Sequence, residues 1–513
     1  MNRKTFLVSV VAALFFAAAQ AEIKLPSIFS DNMLLQRGAA VKIWGKADAG
    51  AKVEVAFAGQ KKSAKAGADG KWSVFLDKMQ ADKTPREMSV SENGKVSKTV
   101  KNILVGEVWI AGGQSNMGFT LKNCDDAKKH IASSANPLIR YFSQNTASMS
   151  KKPREDSLNG KWTECSPEAS PNYSGVAYFF ARALAQDLDV PVGVVFAALG
   201  GSRMIAWLPA EYVDAIPYTK KVQAEFLEKS RNYSYDEAVE KYKKAVAKWK
   251  KNADALKAKG KKPPRKPFAP NKTSPWRPTA TPVYLYNSAV APIAGFGARG
   301  VIWYQGESDS NGEPLESFNE QFDLVVKSWR EKFGNPDLVF IETQLASYCA
   351  PQRDWGLTRW KQYLATKSIP RCHMANIIDC GDEHDIHPKD KLTVGTRLEK
   401  VALREVYGKK AVRPYGPIMA SVKYTPAAAE ITFALDGAKL VGKGEPRGFE
   451  LKIGGEWKSA NAELAGQKVK VSPAGNGKEK IEGVRYLWKN WARPDVWLFG
   501  SNDLPAMSFT HEK

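Results

Sequence analysis

After Ala21 the chain has no apolar run long enough to cross a bilayer, no Cys-x-x-Cys pair and no internal repeat. The missing Cys-x-x-Cys spacing argues against a thiolate metal site. Cys124, Cys165, Cys349, Cys372 and Cys380 are five in number, so at most two disulfides can form and at least one thiol is left over. Histidine is just as scarce, with His130, His373, His384, His387 and His511 only. No nucleic-acid fold signature accompanies the formal charge of +22. A Gly-x-Ser-x-Gly elbow is missing as well, because Met117 stands where its second glycine belongs.

What is present is ordinary globular material: 43% hydrophobic and 25% charged residues over 513 positions, enough for several domains. Arg3 and Lys4 precede the apolar run Phe6 to Ala19, and Ala19-Gln20-Ala21 fits a small-residue cleavage site. Residues 1–21 therefore read as a signal peptide, and the mature chain as soluble, exported and periplasmic or secreted. No cysteine lies near the cleavage site, which argues against a lipid anchor. Much of the positive charge is local. Between Thr219 and Lys272 there are 17 Lys/Arg against 6 Asp/Glu, which makes this stretch a solvated basic insertion (219–272), with a helix over Asp236 to Ala258. An alternative reading of its charge is attraction to anionic glycans or surfaces; nucleic acid is not expected as a partner.

Residues 22–103 alternate apolar and polar in short runs such as Ala40-Val41-Lys42-Ile43-Trp44, the period of half-buried strands. From 104 to about 410 buried strands (Leu104 to Ala111, Val192 to Phe196, Gly300 to Tyr304, Leu338 to Ile341, Met374 to Ile378) alternate with helical segments (Val176 to Leu188, Phe318 to Phe333, Leu357 to Thr366, Thr393 to Tyr407). That alternation predicts an α/β domain with a parallel sheet covered on both faces. Residues 411–513 return to short strands and turns.

Candidate chemistry collects where these strands end, the place at which open α/β sheets build sites. The first strand runs into Gly112-Gly113-Gln114-Ser115-Asn116-Met117. Ser115 is a nucleophile candidate in a glycine-permitted turn; a plain turn or helix N-cap reads the same residues. Leu199-Gly200-Gly201-Ser202-Arg203 can aim backbone N–H groups at an oxyanion, or is simply a tight turn. Gln305-Gly306-Glu307-Ser308-Asp309 sets polar and acidic groups against an apolar strand. Asp379-Cys380-Gly381-Asp382-Glu383-His384-Asp385-Ile386-His387-Pro388 holds two of the five histidines in an acidic loop. A histidine base needs a carboxylate beside it, for which Asp385 and Asp382 are candidates. The same cluster could instead be a metal site, which would leave Ser115 unexplained.

Four blocks, Gly-Gln-Ser-Asn-Met, Gly-Gly-Ser-x-x-x-Ala-Trp (Gly200 to Trp207), Trp-Tyr-Gln-Gly-Glu-Ser (Trp303 to Ser308) and Asp-Ile-His-Pro (Asp385 to Pro388), follow in order. Together they resemble the sialate O-acetylesterase family within the SGNH-type hydrolases. The likeness extends through Ile28 to Arg37 upstream and Lys389 to Leu398 downstream. It implies a flavodoxin-like three-layer hydrolase domain with the flanking β-rich regions as an accessory β-domain. It further implies cleavage of acetyl esters on sugars, with an acetylated carbohydrate as the partner and no metal or other cofactor. Carried over by position, Ser115 is the nucleophile, His387 the base and Asp385 the orienting acid, with Glu307 and Asp382 as alternatives. The oxyanion hole would use the N–H groups of Ser115 and Gly201 and the side-chain amide of Gln305. Gln114, Asn116, Glu307 and Asp382 are supporting candidates. Two departures stand out: His384 occupies the position three before His387 where such hydrolases often carry the acid, and Gln305 replaces an asparagine. The basic insertion has no counterpart among these blocks. Rival readings are an esterase of acetylated xylan or pectin and a catalytically silent glycan-binding protein.

Overall fold

The computed structural model describes residues 23–261, 263–264, 266–475 and 480–513; the expected signal peptide lies outside the described residues, apart from which the chain is built around one central sheet. Its strands, in chain order, are β1 (Lys95–Gly113), β2 (Asn136–Ser143), β3 (Lys161–Cys165), β4 (Val192–Ala198), β5 (Gly300–Tyr304), β6 (Val339–Thr343) and β7 (Cys372–Ala375). They lie in the order β7-β6-β5-β1-β4-β2-β3, every pairing parallel except β2 with β3. All five residues of β5 and of β6 are buried, as a parallel sheet covered on both faces requires.

Six longer helices are α1 (Gly175–Leu188), α2 (Pro217–Arg231), α3 (Tyr235–Ala258), α4 (Phe318–Lys332), α5 (Trp355–Ser368) and α6 (Lys391–Glu405). The pleat of the sheet divides the core. Val108 and Ile110 pack toward α4, whose Phe318, Phe322, Val325 and Trp329 recur at helical spacing. Trp109 and Ala111 pack toward α1 and α6 on the other face. Burial of each large side chain there contributes about 1.5–3 kcal/mol. Gly395 of α6 lets the two helices touch, since a Cβ would crowd Phe179 and the Val176 carbonyl.

The basic stretch is a pair of helices, α2 and α3, where one helix was expected; Ala253 is the sole buried residue of α3. The strand expected at Met374 to Ile378 instead begins at Cys372 and ends at Ala375. Asn376 breaks it: its Oδ1 accepts the Ile378 N–H, and its Nδ2 donates to the carbonyls of Pro505 and Ala506.

The two flanking β-rich regions do not form one accessory domain. The N-terminal strands hydrogen-bond through Asp82–Glu92 and Leu34–Gln36 to β1, so the same 19-residue strand serves them and the central sheet. The C-terminal region has its own seven-stranded sheet and its own core around Leu451, Val471 and Tyr486. The five cysteines form no disulfide among the described residues. No described helix is long and apolar enough to cross a membrane.

Candidate active site

Ser115 lies at the carboxyl end of β1, between the ends of β4 and β5, which pair with Gly113 through Ala198 and Tyr304. The strands order outward in opposite directions from here, the position at which open α/β sheets leave a crevice. Gly113 has φ +129°, and a Cβ on it would overlap the Tyr304 carbonyl, so this turn demands glycine. Gln114 N–H then donates to the Tyr304 carbonyl (2.9 Å), and a four-residue helix starts at Ser115. Met117 is fully buried in the α1 core, anchoring that helix where the common elbow has glycine. Gly200 allows close approach from β4, since a Cβ would stand 3.2 Å from Ser115 Cβ.

The loop after β7 delivers His387. Its Nε2 is 2.8 Å from Ser115 Oγ, a contact across 272 positions. Side-chain caps build this loop. Asp382 Oδ1 accepts the N–H groups of His384 and Asp385 (2.8 and 2.9 Å), and Asp385 Oδ1 accepts that of His387 (2.8 Å). Asp390 caps α6 through the Thr393 N–H.

The three candidate acids separate. Asp385 Oδ1 lies 3.5 Å from His387 Nδ1, at the outer limit of a hydrogen bond. Asp382 is occupied by the turn, whose N–H donors hold its carboxyl below the usual range. Glu307 is buried and faces Asn116, whose Nδ2 donates to Glu307 Oε1 (2.6 Å) and to the Ile386 carbonyl (3.0 Å). Burial raises the Glu307 carboxyl above its ordinary pKa, against the Asn116 hydrogen bond. Burial likewise lowers the His387 pKa; Asp385 opposes this and Lys391 adds to it. His384 is solvent-exposed, with its Nε2 3.9 Å from Glu383.

Gln305 does not supply an oxyanion donor. Its Nε2 donates to the Ser202 carbonyl (3.1 Å) and to Asp309 Oδ2 (2.5 Å), so both amide hydrogens are engaged below the site. Among the described residues, neither the Ser115 nor the Gly201 backbone N–H has an acceptor. Gly201 has φ +73° with open space beside its α-carbon. Gln114 Oε1 accepts the Ser308 N–H (3.4 Å), linking the first and third blocks.

Lys391 was not singled out from the sequence, where it sits in the solvated-looking run Lys389-Asp390-Lys391. It is completely buried and donates to Asn116 Oδ1 (2.6 Å). Arg493, from the C-terminal region, was also missed; it donates to the Gly381 carbonyl (2.6 Å) and lines a cavity of about 500 Å³ beside His387. Among the described residues no group of three or more His, Cys, Asp or Glu is placed to hold a metal ion.

The family model for carbohydrate esterases described as sialic acid-specific acetylesterase matches residues 105–258 and 270–404. The match runs through α2 and α3, so most of the basic stretch has a counterpart in that family after all. Sialate O-acetylesterase of Rattus norvegicus is 25% identical over 533 residues, covering 95% of this chain and 94% of the rat protein. The Homo sapiens sialate O-acetylesterase is 24% identical over 512 residues, covering 91% and 88%. The crystal structure of a carbohydrate acetylesterase from Xanthomonas citri superposes with a TM-score of 0.79 at 27% identity, covering 96% of this chain and all of that one.

Proposed function

The chain belongs to the sialic acid-specific acetylesterase family of carbohydrate esterases, and from this premise we propose that Ser115, His387 and Asp385 remove O-acetyl groups from sugars by acyl transfer. The 2.8 Å contact between His387 Nε2 and Ser115 Oγ at the sheet's carboxyl edge carries this reading. The order of the four sequence blocks supports regarding the central sheet as an SGNH-type, flavodoxin-like hydrolase core.

For Nε2 to accept the serine proton, the imidazole must carry its own proton on Nδ1, the nitrogen facing Asp385. Ser115 Oγ attacks the acetyl carbonyl and its proton passes to His387. The oxyanion is held by the N–H groups of Ser115 and Gly201; loss of one such donor typically costs about 2.7–4 kcal/mol. The C–O bond to the sugar breaks as His387 protonates the departing oxygen. Water, deprotonated by the same histidine, then releases acetate from the acyl-serine. The leader-like residues 1–21 support placing this activity in the periplasm or outside the cell.

Sialic acid is the first substrate reading, from the family and from the names of the rat and human relatives. A second reading is an esterase of acetylated plant polysaccharide such as acetylxylan, whose uncharged sugars suit the acidic residues Asp382 and Asp385 of the histidine loop. Acetate release from 9-O-acetyl sialic acid, acetylated xylan and acetylated pectin, by the parent and by Ser115→Ala, tests both levels. Ser115→Ala is expected to lose at least about 10³-fold in kcat; near-parent turnover overturns the proposed nucleophile, and the preferred substrate of the parent decides between the sugars.

A further inference from the structure

We propose that Lys391 is a positioning residue for His387, its buried ammonium holding Asn116 and Phe119, the two neighbours that fix where the imidazole sits. This rests on the reading of Ser115 and His387 as the catalytic pair.

Asn116 is held at both ends of its amide. Its Nδ2 donates to Glu307 and to the Ile386 carbonyl, and its Oδ1 accepts from Lys391. An asparagine amide can be turned over, exchanging donor for acceptor. Here a carboxylate at one end and an ammonium at the other permit only one orientation. That orientation matters, because the Ile386 carbonyl belongs to the residue before His387 and Asn116 directly follows Ser115. One amide therefore ties the serine helix to the histidine loop, and Lys391 decides which way it points.

Phe119 provides the second hold. Its ring stacks against the His387 ring, with centroids 6.2 Å apart and planes 19° from parallel. Lys391 Nζ lies 5.1 Å from the centre of the same Phe119 ring and 5.4 Å from that of Tyr304. The ammonium thus touches both groups that bear on the histidine without touching its ring nitrogens.

Stability alone does not account for such a residue. A completely buried ammonium loses its hydration, at a cost of several kcal/mol. Its carboxylate counterpart, Glu307, is reached through the Asn116 amide rather than by direct contact. Desolvation lowers the Lys391 pKa to about 8, against the pull of Glu307, so the residue still carries its charge near neutral pH. The charged groups facing the His387 ring are Asp385, from its own loop, and Lys391, from α6.

The experiment measures kcat, KM and the pH profile of kcat/KM on an aryl acetate for the parent, Lys391→Met and Ser115→Ala. Lys391→Met keeps the side-chain volume and removes the charge. It is expected to lower kcat about 10- to 100-fold, with KM changed less than about twofold. The acid limb should move to higher pH, because a cation that disfavours the imidazolium has gone. A kcat within twofold of the parent overturns the proposal, as does a fall in kcat with the acid limb unmoved. Should Lys391→Met not fold, Phe119→Leu keeps the lysine and removes the intervening ring. A loss in kcat of about threefold or more at unchanged KM supports the proposal, and parent-like kcat overturns it. Parent-like activity of Ser115→Ala overturns the catalytic pair itself, which separates the two failures.

Discussion

Ser115 and His387 meet at 2.8 Å, yet opposite kinds of structure hold them there. The serine is placed by backbone: a buried strand, a glycine whose φ of +129° no other residue adopts without strain, and Met117 sunk in the core. The histidine is placed by side chains: carboxylates that cap a loop without regular secondary structure, one asparagine amide and one aromatic ring. A nucleophile set by the sheet can tolerate changes in polar partners, whereas the base depends on every group that shapes its loop. The buried half of the site is therefore sensitive to volume and φ, and the exposed half to hydrogen bonding and charge.

The largest effect is expected at Gly113. Gly113→Ala introduces about 1–3 kcal/mol of backbone strain, together with overlap against the Tyr304 carbonyl. It is expected to lower the thermal midpoint clearly and abolish ester hydrolysis. A variant with parent-like melting and activity would show that the serine turn is not fixed by its backbone.

Asp385→Asn should act on chemistry and leave the fold intact. We expect kcat to fall about 10- to 100-fold, less than for a fully buried orienting acid, because Asp385 is half-exposed and 3.5 Å from the ring. His387 acts as a neutral base, so activity is lost as pH falls through its pKa, which already lies below the ordinary histidine value. Asp385 raises that pKa, so its neutralisation should move the acid limb to lower pH, opposite to Lys391→Met. A limb that stays put, or moves up, would remove Asp385 from its place beside the ring.

The smallest effect is expected at Asp382. Asp382→Ala removes two exposed loop hydrogen bonds. It should reduce kcat only about three- to fivefold, with the acid limb unmoved. A loss equal to that of Asp385→Asn would mean that the turn, not the carboxylate beside the ring, governs the base.

The strand–helix alternation and the residues at the strand ends could be read from the chain because they depend on local rules. Five of five residues in β5 are apolar and buried, Phe318, Phe322, Val325 and Trp329 repeat at helical spacing, and glycines mark the turns. Where the structure departs from these local rules, a distant partner is responsible. The strand at Cys372 stops early because Asn376 bonds to carbonyls near residue 505. Gln305 has the amide an oxyanion hole requires, yet Ser202 and Asp309 take both of its hydrogens. The two β-rich regions are alike in pattern, but only the N-terminal one shares β1 with the central sheet.

The α/β character and the four blocks are legible along the chain, since motif, periodicity and glycine are properties of neighbours; Ser115 and His387 were paired as candidates through the family resemblance that those blocks carry. Which of three carboxylates stands beside the histidine, which way two amides point and the burial of Lys391 beneath the site all follow from how the chain packs. Those outcomes depend on through-space distances of a few ångströms between residues up to 275 positions apart. In a low-dielectric interior such distances determine which charges and hydrogen bonds can be satisfied together.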